Sequence, residues 1–292
     1  MTETEDRIAA YKACVEEYLT AFYGCLEDTP QKYLAESVRY SLLSGGKRLR
    51  PTLVFEFCRV CGGDWKAAAP FAAAVEMIHT YSLIHDELPC MDNDDYRRGR
   101  LTNHKVYGEA MAVLAGDARL TDAFAGAASA QIPNPADLAR AIGVLAENAG
   151  SLGMVGGQVL DMLSEERVCT EQEVLDIQTR KTGGLINAAC VLGVIAAGGT
   201  EAQIQAAAQF AAGIGLAFQI RDDMLVVIGS RQELGKAVGV DEKKTPFVRL
   251  YGLEECGNLV NKYTNLAVSA LDAFESTDFL KALALEMTGR MK

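Results

Sequence analysis

Helix-forming residues, with no sustained alternation of apolar and polar positions, constrain this chain more than any other feature. Ala, Leu, Glu and Met dominate the stretches between Gly and Pro breaks, and no segment keeps the period of two that a strand needs. The expected fold class is all-α. Candidate helices cover about 7–26, 31–44, 51–61, 66–88, 105–130, 136–152, 171–182, 185–198, 201–228 and 254–274. Loops are expected at Gly45-Gly46, Asp92 to Asn103, Ile132 to Pro135 and Gly229 to Pro246. No Pro/Ser-rich linker, compositional shift or repeat divides the 292 residues, so a single domain over 1–292 is the simplest organisation.

Composition narrows the function classes. With 39 acidic and 28 basic residues the net charge is -11, which argues against nucleic acid or an anionic membrane surface as the main partner. The eight cysteines form no disulfide-like framework, and thiols in apolar helical stretches pack as small hydrophobes in a reducing cytosol. Cys58 and Cys61 make one C-x-x-C, but with no second pair and no nearby His they complete no zinc site. The acidic start, Met1 to Asp6, resembles neither a signal nor a transit peptide. The most apolar stretches, such as Leu185 to Gly199, fall short of the roughly 20 residues a membrane span needs. The expected localisation is cytoplasmic.

Two acid-rich segments interrupt apolar helices, each followed by basic residues. Asp86-Glu87-Leu88-Pro89-Cys90-Met91-Asp92 runs into Arg97-Arg98-Gly99, and Asp222-Asp223 precedes Lys236. Neighbouring carboxylates repel unless a cation compensates, so the clusters point to hard divalent cations, magnesium first. Magnesium shares its shell with substrate phosphates, and the adjacent bases suit a diphosphate ligand. His79 lies seven residues before Asp86, on the same helical face. Six residues correspond to about 600 degrees of rotation, so Asp92 joins Asp86 only if the helix ends near Pro89 and the chain curls back. The plainer reading is a helix end running into a solvated acidic loop, and it suits Asn93-Asp94-Asp95. In the second segment Gln219 and Asp222 are three apart and adjacent on one face; a partly buried Asp paired with an Arg is the alternative for one of Asp222 and Asp223. Further bases occur at Lys47, Arg48 and Arg50, Lys105, Lys181, and Lys243-Lys244. Gly45-Gly46-Lys47 is no P-loop, because Ser41 stands at the first Gly and Arg48 at the Ser/Thr position.

In this order the motifs closely resemble the trans-isoprenyl diphosphate synthases, particularly bacterial farnesyl and geranylgeranyl diphosphate synthases. The match runs from about Tyr40 to Glu254 through GGKRLRP, EMIHTYSLIHDELPCMDNDDYRRG, NHKVYGEAMAVLAGDA, GMVGGQVLDM, KTGGLI, FQIRDDMLVVIG, LGK and FVRLYGLE. The resemblance implies the all-α isoprenoid synthase fold, with helices around a central catalytic cavity, usually as a homodimer. It implies magnesium, three ions when substrate is bound, held by Asp86 and Asp92 of the first motif and Asp222 of the second. Arg97, Lys181, Gln219 and Lys236, with Lys244 from the following loop, would contact an allylic diphosphate, and Lys47, Arg50, His79 and Arg98 would hold isopentenyl diphosphate. Thr182 and the Lys181 carbonyl would stabilise the allylic cation.

The chain departs from the family pattern at four places. Glu87 replaces the second Asp of the first motif, and Val226 the last Asp of the second, four residues after Asp222. The loop at Asp241 to Pro246 looks shortened, with Pro246 where Thr is usual, and Arg119 follows Gly116-Asp117-Ala118 at a normally apolar position. By resemblance, Tyr81 and Ser82 stand at the cavity floor that limits product length. Tyr81 with the inserted Pro89-Cys90 suggests a C15 product. A helical wheel puts Tyr81 off the Asp86 face, and ordinary core packing or a C20 product stay open. The expected activity is condensation of isopentenyl diphosphate with dimethylallyl or geranyl diphosphate to farnesyl diphosphate. Alternatives are geranylgeranyl diphosphate as product and a non-catalytic regulatory subunit of a heteromeric synthase. A terpene cyclase would need a second metal motif that the chain lacks.

Overall fold

The computed structural model describes residues 3–165, 167, 169–234 and 246–289, without the side chains of 229–234. Contacts gather the chain into two compact units, one of residues 1–143 with 195–198 and the other of 144–194 with 199–292. Among the described residues, helices account for nearly all regular structure, as the helix-former composition requires.

The first unit contains α1 (Glu3–Gly24), α2 (Lys32–Leu42), α3 (Leu49–Val60), α4 (Ala69–Asp86), α5 (Asn103–Tyr107) and α6 (Glu109–Ala128). Helix α4 is its spine: Phe71 to Ile78 are all buried, an apolar surface all round that only a central helix can use. It packs closely on α6 because Gly116 lacks a side chain; a Cβ there would stand 2.0 Å from His85 Nε2, which itself meets the Val113 carbonyl at 3.1 Å. Beyond α4 the chain forms a hairpin of β1 (Tyr96–Arg97) and β2 (Arg100–Leu101), registered Tyr96 to Leu101 and Arg97 to Arg100. Arg98 and Gly99 turn it with φ of 52° and 75°, the paired positive angles that match strand twist. The sequence reading anticipated no strand, and two-residue strands are too short to show alternation. Gly108, at φ 85°, also splits the expected helix 105–130 into α5 and α6.

The second unit is organised by α11 (Glu201–Leu234), which packs against α12 (Pro246–Ala270), α9 (Glu171–Lys181) and α13 (Asp278–Gly289). Its core joins Val174, Ile220, Met224, Phe247, Cys256 and Val260. Thr170 and Glu173 cap α9 reciprocally, which fixes its start. Helix α8 (Met154–Ser164) was not anticipated, because Gly153, Gly156 and Gly157 read as breaks. Gly157 instead permits close packing on α9, since a Cβ there would meet the Lys181 amide at 2.3 Å. Three other expectations are corrected. Helix α12 begins at Pro246 rather than 254, interrupted by non-helical Gly252; α11 continues past Gly229; and α13 follows the last expected helix. Helices α7 (Asp137–Ala149) and α10 (Gly183–Ala196) contribute residues to both units. Among the described residues, no helix is long and apolar enough to cross a membrane, and all eight cysteines are free.

Arg119, on α6, is wholly buried at 0% exposure. Its Nη2 donates to the Val38 carbonyl of α2, while Nε and Nη1 find no partner among the described residues. Burial lowers its pKa to about 10, opposed by the nearby carboxylates of Glu76 and Asp122. The guanidinium therefore stays charged at neutral pH at a desolvation cost that one carbonyl and nearby carboxylates only partly offset. Replacing a buried ion by an apolar group of similar length is often stabilising by about 1–4 kcal/mol. Arg119→Met is expected to raise the urea midpoint, and a lowered midpoint would show instead that α6 depends on the charge.

Candidate functional site

In the first unit one imidazole sits among arginines. His79 of α4 has its pKa held well below the usual histidine value, first by burial and then by the charges of Arg50, Arg98, Arg97 and Arg48. These side chains come from two segments folded for the purpose. The strap from Gly45 to Arg50 joins α2 to α3 and runs through three positive φ angles, 84° at Gly45, 137° at Gly46 and 49° at Arg48. The hairpin supplies Arg97, Arg98 and Arg100, and Arg98 Nη1 donates to the Gly45 carbonyl. The φ of 137° is what requires glycine at position 46, where a Cβ would also stand 2.8 Å from the movable end of Arg98, at Nη1. The segments border a narrow, solvent-open cleft that His79, Arg48, Arg97, Arg98, Glu76 and Glu87 help to line. Lys47 lies exposed on the strap, and Arg50 has a buried Nε without a partner among the described residues.

Both buried carboxylates in this cleft are paired. Glu76 accepts from Arg48 Nη1 at 2.6 Å, and Glu87 accepts from Arg97 Nε. Burial raises the Glu87 pKa, against the opposing charge and hydrogen bond of Arg97. Glu87, the departure in the first acidic motif, thus holds an arginine. With these carboxylates engaged, Arg50 and Arg98 beside a neutral His79 make a cationic recess suited to a multiply charged phosphate group.

Helix α4 ends at Asp86, and the chain curls back as the spacing argument required. Leu88 accepts the amides of Met91 and Asn93 at 2.9 and 3.1 Å, and the Asp92 amide donates to the Asp86 carbonyl at 2.8 Å. Asp86 and Asp92 are thus brought into one turn, with Asp86 half-buried and Asp92 exposed. Hard carboxylate oxygens from a single open turn are a donor set that fits magnesium while leaving most of its shell to other oxygens. Among the described residues no group of three or more His, Cys, Asp or Glu is preassembled as a metal site. Tyr81 is 6% exposed and packs edge-on against His85 at 5.6 Å, with burial and Asp86 raising its pKa to about 12. Ser82 bonds the His79 carbonyl at 2.9 Å.

The second unit carries a separate set of candidate residues. Lys181, at the end of α9, pairs with Asp161 of α8 at 2.5 Å, and Thr182 forms the break before α10. On α11 the Gln219 Oε1 is buried and without a partner among the described residues, and Asp222 is half-buried one turn on. Asp223 accepts the Phe247 amide at 3.0 Å, capping the start of α12. Burial raises the Asp223 pKa to about 7, against that hydrogen bond, and the Asp222 charge adds to the rise. The two acids therefore divide: Asp223 is structural and Asp222 is the candidate ligand. Val226 is 47% exposed. Lys236, Lys244 and the loop from Asp241 lie outside the described residues.

Three partners escaped the sequence reading. Glu76 stands three residues before His79, a helical spacing that could have exposed it. Asp161 lies on the unanticipated α8 and left no such signal. Asn103 ties α5 to α2 through the Ser37 carbonyl and Ser41 hydroxyl, both at 2.9 Å.

A pH test follows from His79. Unfolded, its imidazole titrates near the ordinary 6.5, while the folded site holds it well below that. The folded state therefore binds fewer protons below 6.5, so the stability His79 permits is full above that pH and falls as pH drops through it. In urea unfolding between about pH 5 and 8, His79→Gln is expected to gain on the parent progressively toward acid; parallel curves would overturn the assignment.

Comparison with known proteins accords with this geometry. A polyprenyl synthetase family model matches residues 31–275, a span that includes both sets of candidate residues. The chain is 46% identical over 265 residues to a farnesyl diphosphate synthase of Micrococcus luteus, covering 90% of this chain and 91% of that one. It is 48% identical over 255 residues to geranylgeranyl pyrophosphate synthase 7, chloroplastic, of Arabidopsis thaliana, covering 86% and 74%. Its structure resembles a geranyltransferase of Legionella pneumophila with a TM-score of 0.86 and 31% identity, over 99% of each chain. An all-α chain with this match over most of its length is a prenyltransferase and belongs to the polyprenyl synthetase family of trans-isoprenyl diphosphate synthases.

Proposed function

We propose that residues 1–292 act as one synthase domain that condenses isopentenyl diphosphate with dimethylallyl or geranyl diphosphate and stops at farnesyl diphosphate. The observation that carries this reading is the recess around His79, where four arginines converge and both buried carboxylates are already paired. Lys47, Arg50, His79 and Arg98 hold the diphosphate of isopentenyl diphosphate, the neutral imidazole adding a hydrogen bond without further charge. Arg97, Lys181, Gln219, Lys236 and Lys244 contact the allylic diphosphate. Asp86, Asp92 and Asp222 would hold magnesium, three ions with substrate bound, and the metal would supply charge neutralisation at the leaving diphosphate. As the allylic C–O bond ionises, Thr182 and the Lys181 carbonyl face the developing cation. The isopentenyl double bond attacks it, and proton loss completes the longer chain. Apolar helix walls keep water from the cation. The enzyme works in the cytoplasm as a homodimer, its free cysteines suiting a reducing compartment.

Two observations favour other outcomes. Similarity to a plant protein named for the geranylgeranyl product supports C20 as the end point. An exposed Val226 at the usual position of a carboxylate supports a subunit with little activity of its own.

Purified protein incubated with magnesium, labelled isopentenyl diphosphate and geranyl diphosphate is expected to yield farnesol after dephosphorylation. Geranylgeraniol would keep the enzyme and refute Tyr81 as its stop, and no product would favour the subunit reading. If buried Tyr81 closes the cavity, Tyr81→Ala should shift the main product by at least one isoprene unit, and an unchanged product pattern would remove it from the floor. If the missing anion at Val226 limits catalysis, Val226→Asp should raise turnover at low magnesium, and an unchanged rate would sink that explanation.

A further inference from the structure

We propose that Arg48 and Glu76 are positioning residues whose buried ion pair sets the strap that presents Lys47 and Arg50 to isopentenyl diphosphate; this rests on the binding role proposed above for that recess. Arg48 adopts a left-handed backbone at φ 49°, a conformation strained for a residue other than glycine. Its side chain supplies the reason. The guanidinium reaches Glu76 at 2.6 Å, the Leu42 carbonyl at 2.6 Å and Glu16 at 3.3 Å, and Arg48 and Glu76 are 4% and 5% exposed. Leu42 is the last residue of α2, so this bond closes the strap onto the helix it leaves. At the other side the Arg48 carbonyl accepts the Thr52 amide at 3.0 Å and its hydroxyl at 2.9 Å, starting α3. The side chain is thus committed inward at all three nitrogens, which leaves it poorly placed to contact a ligand.

Glu76 links this anchor to the recess. It lies one helical turn before His79 on α4, and its charge also acts on Arg50. Pairing Glu76 with Arg48 keeps a buried carboxylate from competing with a diphosphate for Arg50. Arg98 braces the same strap at Gly45, so the strap is held from the hairpin and from α4 at once. Without the Arg48 pair, the left-handed turn loses the bonds that offset its strain, and Lys47 and Arg50, on either side of it, lose their fixed spacing.

The test compares the parent with Arg48→Met/Glu76→Met, an apolar pair chosen because replacing both buried charges spares the fold better than removing one. Thermal melting checks folding. In steady-state assays the double variant should raise KM for isopentenyl diphosphate by about 10-fold or more while KM for geranyl diphosphate and kcat stay within about 3-fold. A merely structural role would instead lower kcat and leave both KM values alone. An unchanged KM for isopentenyl diphosphate in a folded variant overturns the proposal. Calorimetric titration with inorganic pyrophosphate in chelator, without metal, gives a readout independent of turnover. Should the parent prove inactive, weaker pyrophosphate binding by the double variant would still support the positioning role although the synthase reading had failed. Equal binding, or none by the parent, would overturn it. If the double variant does not fold, Arg48→Lys provides the second comparison: it keeps one charge but not the three-way fork, and must show the same selective rise in KM.

Discussion

Crowding like charges around a half-buried imidazole is the constraint on which the first unit depends. Arginines do not lose their protons in proteins, so the recess at His79 must export its electrostatic cost to its neighbours. The imidazole bears part of it by remaining neutral. Glu76 and Glu87 bear the rest, each buried and each bonded to one arginine. What remains is a recess with cationic groups available and, among the described residues, no adjacent unpaired buried carboxylate, a condition that favours binding a diphosphate.

Helix α4 makes this possible because its two halves do different jobs. From Phe71 to Ile78 it is buried all round, which fixes it rigidly in the unit. Its C-terminal half then carries His79, Tyr81, Ser82 and Asp86 at positions that cannot shift independently. Its end is equally determined. A proline just past Glu87 prevents another turn, and the Asp92 amide closes on the Asp86 carbonyl. His79, Asp86 and Asp92 are thus held by one helix and the turn that ends it, within one short segment of the sequence.

That arrangement was largely legible in the sequence where composition or spacing had a local cause. The all-α class followed from helix formers, and the return of the chain at Asp92 from the phase of a helix against Pro89. Helix α8 was missed because Gly153, Gly156 and Gly157 lower local propensity, whereas close packing rewards their small size, Gly157 against α9 and Gly153 and Gly156 against the backbone of the preceding turn. Gly252 concealed the first turns of α12 for a different reason, since its φ of 74° is itself non-helical. Arg119 could not be interpreted from the sequence, because its compensating groups, the Val38 carbonyl and the Glu76 carboxylate, come from other helices. Pairing partners such as Asp161 share this difficulty: an ion pair joins residues that only the fold brings together.

Burial then separates the ion pairs into fixed and exchangeable ones. Arg48 and Glu76 are both nearly inaccessible, at 2% and 6% of side-chain exposure, so breaking the pair strands a charge in a poorly solvated interior. Lys181 and Asp161 are 32% and 38% exposed; water can replace either partner, and such a pair contributes little to stability. A diphosphate brings more negative charge than one carboxylate, so Lys181 can transfer to it at small cost while Arg48 stays where it is. Arg97 lies between these cases, 38% exposed against a Glu87 that is 5% exposed. It can add a phosphate oxygen through a second nitrogen of its planar fork without abandoning the carboxylate. The same chemical pairing can therefore anchor a strap in one place and leave a cation exchangeable in another, and the exposure of the cation distinguishes Arg48 from Arg97, since their carboxylates are equally deep.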